Sequence, residues 1–144
     1  MQKMNFYEEV GDLRKLLNPD KFKSYMLESP LGQIFNIKDE PYELFCENMC
    51  ENAVSWILFT LLSADYSLDN IIVHEGSFNN YHHIWASIDD YYVDLTLPQF
   101  LYDCPDLSIT KKDEVEKDGL YYSAIKVNAE EWAIEKFSGL MNQK

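Results

Sequence analysis

The sequence predicts an α+β fold, and three observations carry that prediction. Between Ala53 and Leu62 apolar residues recur at helical spacing. From Tyr81 to Phe100 the chain reads YHHIWASIDDYYVDLTLPQF, with apolar and polar residues alternating in the period of half-buried strands. Asp89-Asp90 divides that stretch where a two-residue turn falls, so its halves pair as an antiparallel hairpin.

Composition sets the scale. The 144 residues are the size of one domain, with a helical part over 1–47, a core over 48–127 and a last helix over 128–144. At 47% hydrophobic and 15% aromatic the chain has material for a core and is not a disordered segment. Its 25 acidic and 12 basic residues give a net charge of -13. Such a surface repels phosphate backbones, so nucleic acid is not an expected partner and a basic protein is a better one. An acidic protein of this size can also occupy a basic partner by mimicking nucleic acid. Three cysteines, Cys46, Cys50 and Cys104, make no disulfide framework. The first residues hold no uninterrupted apolar run, and the apolar stretch Ala53 to Leu62 is too short to span a membrane. The expectation is a cytoplasmic protein with no signal peptide and no membrane partner.

In chain order, residues 5–17 predict a helix capped by Asn5, with Phe6, Val10, Leu13 and Leu17 along one line. Asn18-Pro19 ends it, and a short helix follows through Met26. Residues 28–41 carry two prolines and a glycine and read mostly as loop. The helix over 48–63 starts at Asn48 as N-cap, with Glu51 three residues on and Cys50 in the first turn. A competing start at Pro41 makes one long helix with Cys46 and Cys50 inside it; a bend near Asn48 satisfies both signals. Residues 70–76 predict a strand ending at Gly76, and Ser77 to Asn80 a link to the hairpin. After Phe100 comes a loop-like run with Pro105 and the mixed-charge KKDEVEKDG, a solvated excursion. Leu120 to Val127 predicts a strand. Asn128 then caps a helix whose apolar stripe is Ala133, Phe137, Leu140 and Met141.

The hairpin places chemistry. If the turn aligns Ile88 with Tyr91, Trp85 faces Asp94 and His83 faces Thr96, and all four project from one side. His83 and Asp94 become diagonal neighbours. A histidine beside an orienting carboxylate is two thirds of a triad. His82 points to the other face; a one-residue slip would exchange the two histidines. For a nucleophile, Cys50 in a first helical turn has free N–H groups and the positive end of the helix dipole near its thiol. Cys46, four residues earlier, is the alternative, and Cys104 lies in a loop. Cys46 and Cys50 with His82, His83 and Cys104 make only a weak zinc pattern. No metal or cofactor is expected, and no glycine motif for a phosphate is present.

Cys50-Glu51-Asn52-Ala53, Gly76, His83-Ile84-Trp85 and Val93-Asp94-Leu95-Thr96, with Gln99 and Phe100 after them, resemble the transglutaminase-like branch of the papain-like cysteine enzymes over residues 48–100. The resemblance implies a papain-like α+β fold in which a buried helix packs on an antiparallel sheet. It also implies a Cys50-His83-Asp94 triad acting on a protein or peptide amide. Cys50 attacks the carbonyl, His83 moves the proton, Asp94 orients His83, and Trp85, Thr96 and Gln99 shape the cleft. Protease, deamidase and acyl-transfer chemistries share these parts. The other reading, from the charge of -13, is an inactive acidic interaction module of inhibitor, immunity or effector type on the same scaffold.

Overall fold

The computed structural model of the protein describes residues 6–29, 37–47, 49–101, 104–117 and 119–141; for residues 6–10 and 137–141 it describes the backbone. Among them is a five-stranded antiparallel sheet with helices before, between and after its strands, an α+β fold. Helix α1 runs Phe6–Leu16 and α2 runs Pro19–Glu28. Asn18 caps α2 by accepting the Asp20 N–H at 2.8 Å, and Pro19 opens its first turn, where a missing N–H costs nothing. The Asn5 cap and residues 30–36 of the expected loop lie outside the described residues.

Both start signals around the cysteines are used. Pro41 precedes a single turn, α3 (Tyr42–Phe45), and a separate helix, α4 (Cys50–Ser63), begins after it. The long continuous helix is not formed. Met49 rather than Asn48 stands at the cap position of α4, with no side-chain cap bond; Asn48 itself lies outside the described residues. Cys50 is the first helical residue. Ala53, Val54, Ile57, Leu58 and Leu61 are buried as their spacing implies, while Trp56 joins them and Leu62 is half exposed.

Strand β1 (Ile71–Phe78), β2 (Tyr81–Ile88), β3 (Tyr91–Asp94), β4 (Ser108–Lys111) and β5 (Tyr121–Asn128) stand in the order β4-β3-β2-β1-β5. The turn at Asp89-Asp90 has two residues, with φ +52° at Asp89, and Ile88 pairs with Tyr91. Two sequence expectations are corrected. The first strand does not stop at Gly76: it runs on to Phe78, and Asn79-Asn80 (φ +48° and +70°) make a second two-residue turn in place of a link. Gly76 instead sits at a bulge where β1 meets β5, and a Cβ there would lie 1.9 Å from the Tyr122 carbonyl oxygen. The run after Phe100 is not all loop. Ser108–Lys111 pairs along β3, and Lys112–Lys117 form a short helix, α5. A four-residue edge strand with a lysine end carries too little apolar pattern to announce itself.

The last helix, α6 (Ala129–Met141), starts where Asn128 Oδ1 accepts the Glu130 and Glu131 N–H groups, at 2.8 and 3.4 Å. It packs through Ala129 and Trp132, with Ala133 only half buried; the Phe137, Leu140 and Met141 side chains lie outside the described residues.

The sheet is covered on both faces. Val73, Ile84, Ile88, Tyr91, Val93 and Ile109 meet α4 and the other helices in one cluster. Side chains of opposite parity, Phe78, Trp85, Tyr92 and Tyr121, pack against Leu97, Phe100, Leu101, Cys104 and Val115 in a second. The alternation in β2 and β3 is therefore not inside against outside. Its polar positions, His83, Ser87 and Asp94, are buried as well, and burial without partners would be costly. No helix among the described residues is long and apolar enough to cross a membrane.

Candidate active site

The hairpin brings His83 and Asp94 together. Ladder pairs run Ala86–Val93, Ser87–Tyr92 and Ile88–Tyr91, so the residues just beyond project from the same face. His83 Nε2 donates to Asp94 Oδ2 at 2.7 Å, and both side chains are essentially excluded from solvent. His82 points away and meets Glu75 at 3.5 Å on the surface.

Asp94 is held from several sides. Oδ1 accepts the Thr96 N–H at 3.0 Å and lies 3.4 Å from the Thr96 hydroxyl. Oδ2 also accepts the Tyr121 hydroxyl at 2.8 Å. Burial alone would raise the carboxyl pKa, but the His83 charge and hydrogen bond, with the Thr96 and Tyr121 bonds, hold it below the ordinary range. For His83, burial pulls downward. The charge and hydrogen bond of Asp94 outweigh it, Cys50 adds to them, and the imidazole is held at about 9.

Cys50 is half buried at the start of α4. It is near enough to act on His83 as a charge and as a hydrogen-bond partner. No aligned bond is formed, however: among the described residues His83 Nδ1 is buried without a partner. That is the loose geometry common in catalytic pairs without substrate. With Nε2 taken by Asp94, Nδ1 is the nitrogen left for a thiol.

The other cysteines differ. Cys46 closes α3, fully buried, with its thiol 3.7 Å from the Glu43 carbonyl. Burial, only partly offset by the Gln99 backbone, pushes its pKa to about 12. Cys104 lies 3.5 Å from the Leu101 carbonyl, and burial pushes it to about 11.

The expected cleft residues are corrected in part. Trp85 is fully buried and stacks on His83, with centroids 5.5 Å apart and planes 18° apart; it shields the pair and lines no open cleft. Thr96 is buried and orients Asp94. Gln99, half buried, ends a 3-10 turn over Leu97–Gln99 and acts on Cys46 through its backbone. α3 is fastened to this region by the Tyr42 hydroxyl, which donates to the Leu95 carbonyl at 2.7 Å.

Sequence reasoning missed Tyr121, which lies 27 residues from Asp94 on a strand placed only by the fold. It also missed His74, buried beside Trp85. Its apolar neighbours in NIIVHEG were the one signal that a histidine was going inside. Among the described residues no group of three His, Cys, Asp or Glu side chains could hold a metal ion. No protein-family model matches the chain, and searches of the curated proteins and of the solved structures find no match.

Proposed function

We propose that the protein is a cysteine-dependent amide hydrolase or acyltransferase of the transglutaminase-like, papain-like type, with Cys50 as nucleophile. One observation carries the reading: among the described residues a buried His83 is bonded to Asp94 through Nε2, its Nδ1 makes no hydrogen bond, and the half-buried Cys50 thiol at a helix start is near enough to act on the ring. The substrate class is a protein or peptide amide, and basic segments suit the charge of -13.

Cys50 Sγ attacks the amide carbonyl as thiolate, with protonated His83 as counter-ion. The C–S bond forms and the carbonyl electrons move to oxygen. The α4 ladder begins with the Ala53 N–H to Met49 carbonyl bond at 2.8 Å, so the Cys50 N–H stands outside it and can stabilise that oxygen. As the C–N bond breaks, His83 gives its proton to the leaving amine. Neutral His83 then takes a proton from water or an acceptor amine, which attacks the thioester and releases Cys50. Asp94 holds the imidazole orientation and stabilises its cation throughout.

The test is a burst assay with p-nitrophenyl acetate and mass mapping of the adduct. The expected result is one acetyl group on Cys50, lost in Cys50→Ala and in His83→Ala. An intact protein that never acetylates at Cys50 overturns the reading. The charge of -13 then favours the other one, an acidic interaction module. Capture of a basic partner would survive Cys50→Ala and fail once surface acids are neutralised.

A further inference from the structure

His74 is a buried titratable group that takes no part in the chemistry above. It lies at the centre of β1, directly across the ladder from Trp85. The two rings are nearly parallel, 5.3 Å apart at 7°. Trp85 is stacked in the same manner on His83. Both nitrogens of His74 are engaged: Nδ1 with the Ser123 hydroxyl of β5 at 2.9 Å, and Nε2 with the Ser87 hydroxyl of β2 at 2.8 Å. Tyr92 meets the ring edge-on at 5.2 Å. A ring held at both nitrogens and packed at its edge cannot turn, so it presents one fixed plane to the indole.

We propose that His74 is a positioning residue: pinned between Ser87 and Ser123, it braces Trp85 against His83, so that the indole fixes the imidazole plane and stabilises its cationic form.

The chemistry is that of an electron-rich ring beside a cation. His83 faces Asp94 on β3, Cys50 on α4 and Tyr121 on β5, and Phe78 and Phe100 meet its ring. His74 must not carry a second charge against the same indole. Burial pushes its pKa down to about 4, and the charges of Lys112 and Lys126 push the same way, so it is uncharged at neutral pH. The serine hydroxyls suit a neutral imidazole, because each can donate or accept as the tautomer requires. The consequence for catalysis rests on the role proposed for His83; the effect on the His83 proton does not.

The test follows the His83 imidazole by NMR across pH in the full chain, beside His74→Leu, His74→Phe and Ser123→Ala. His74→Leu removes the stacked ring, and its His83 pKa is expected to fall by about half a unit or more. His74→Phe keeps a ring against the indole and should restore most of that shift. If His74→Leu fails to fold, Ser123→Ala decides, since it leaves all three rings and frees one nitrogen of His74; a smaller downward shift is expected. The pH profile of Cys50 alkylation by iodoacetamide should move with the NMR value. An unmoved His83 titration in a folded His74→Leu protein, or in Ser123→Ala where His74→Leu does not fold, overturns the proposal even if thermal stability drops. A wild-type protein whose Cys50 is not selectively alkylated contradicts the catalytic reading instead and leaves the NMR result standing on its own.

Discussion

The Tyr121 hydroxyl donates to the same oxygen of Asp94 that His83 Nε2 bonds, at 2.8 and 2.7 Å. Three strands thus meet on one carboxylate: β3 supplies it, β2 brings the histidine and β5 the tyrosine. The arrangement explains how a carboxylate can stay ionised with 2% exposure. Each partner donates a hydrogen bond to it, as a buried charge requires. Burial pushes the Tyr121 hydroxyl pKa upward, with the Asp94 charge adding to it, so the phenol keeps its proton and remains a donor.

Tyr121→Phe removes one donor and nothing of the ring. The substitution should cost about 2 kcal/mol, the range for a buried hydrogen bond to a charged group. The Asp94 pKa should move up toward the ordinary carboxylate value. Urea unfolding and carboxyl NMR read the two effects separately. An unchanged unfolding midpoint would mean that the Tyr121 bond contributes nothing.

The three thiols should separate cleanly. Cys46 and Cys104 are pushed to about 12 and about 11, chiefly by burial, and are almost wholly protonated at neutral pH. Cys50, half buried like Cys104, differs from both in lying beside the His83 imidazole, which is held at about 9 and so is cationic at neutral pH. Iodoacetamide at neutral pH, followed by peptide mapping, should label Cys50 at least about tenfold faster than either. His83→Ala should remove most of the difference. Slow and equal labelling of all three would count against any special role for Cys50.

Stability should depend on pH through the same ion pair. The folded pKa of His83, about 9, lies above its ordinary 6.5, so its contribution is complete below 6.5 and is lost as pH rises through 9. Asp94 is depressed, so its contribution is present above the ordinary 3.8 and is lost as pH falls through its folded value. The two describe one interaction and count once, on the order of 3 kcal/mol. Urea midpoints of wild type and Asp94→Asn should differ most between these limits and converge above pH 9. A difference independent of pH would show that the pair is not ionic.

The hairpin was the most legible part of the sequence. A two-residue turn and period-2 alternation fix which side chains share a face, and His83, Trp85 and Asp94 share one in the fold. The same pattern misled on environment. Alternating polar residues imply water on one face, but a second aromatic cluster closes that face, so His83, Asp94 and Thr96 are interior groups. That closure depends on Tyr121 from β5 and on Leu97, Phe100 and Val115, whose arrival no local pattern encodes. β4 was invisible for a related reason: Ser-Ile-Thr-Lys is a strand because β3 offers it a ladder. The break between α3 and α4 was legible as two competing helix starts. Which cysteine faced the imidazole depended on where the second helix began, and no single signal placed that within a residue.

Gly76 gives the sharpest test of how β5 reaches the site. A Cβ at this position would meet the Tyr122 carbonyl oxygen at 1.9 Å, its carbon at 2.9 Å and the Ala124 nitrogen at 2.9 Å. All three are backbone atoms in the ladder, so no side chain can swing aside. Gly76→Ala must part β1 from β5 beside the bulge, which draws Tyr121 away from Asp94. The expected cost is roughly 3 kcal/mol or more, the range of severe backbone conflicts. Amide exchange should speed up first over Tyr121 to Asn128, and the His83 pKa should change with the carboxylate it faces. Gly11→Ala is the matched control. Nothing lies within 4 Å of a Cβ there, and the residue is inside α1, so alanine should stabilise the protein by about 0.5–1 kcal/mol. If Gly76→Ala melts with Gly11→Ala rather than well below it, the close approach of the two strands is wrong, and with it the path by which Tyr121 reaches Asp94.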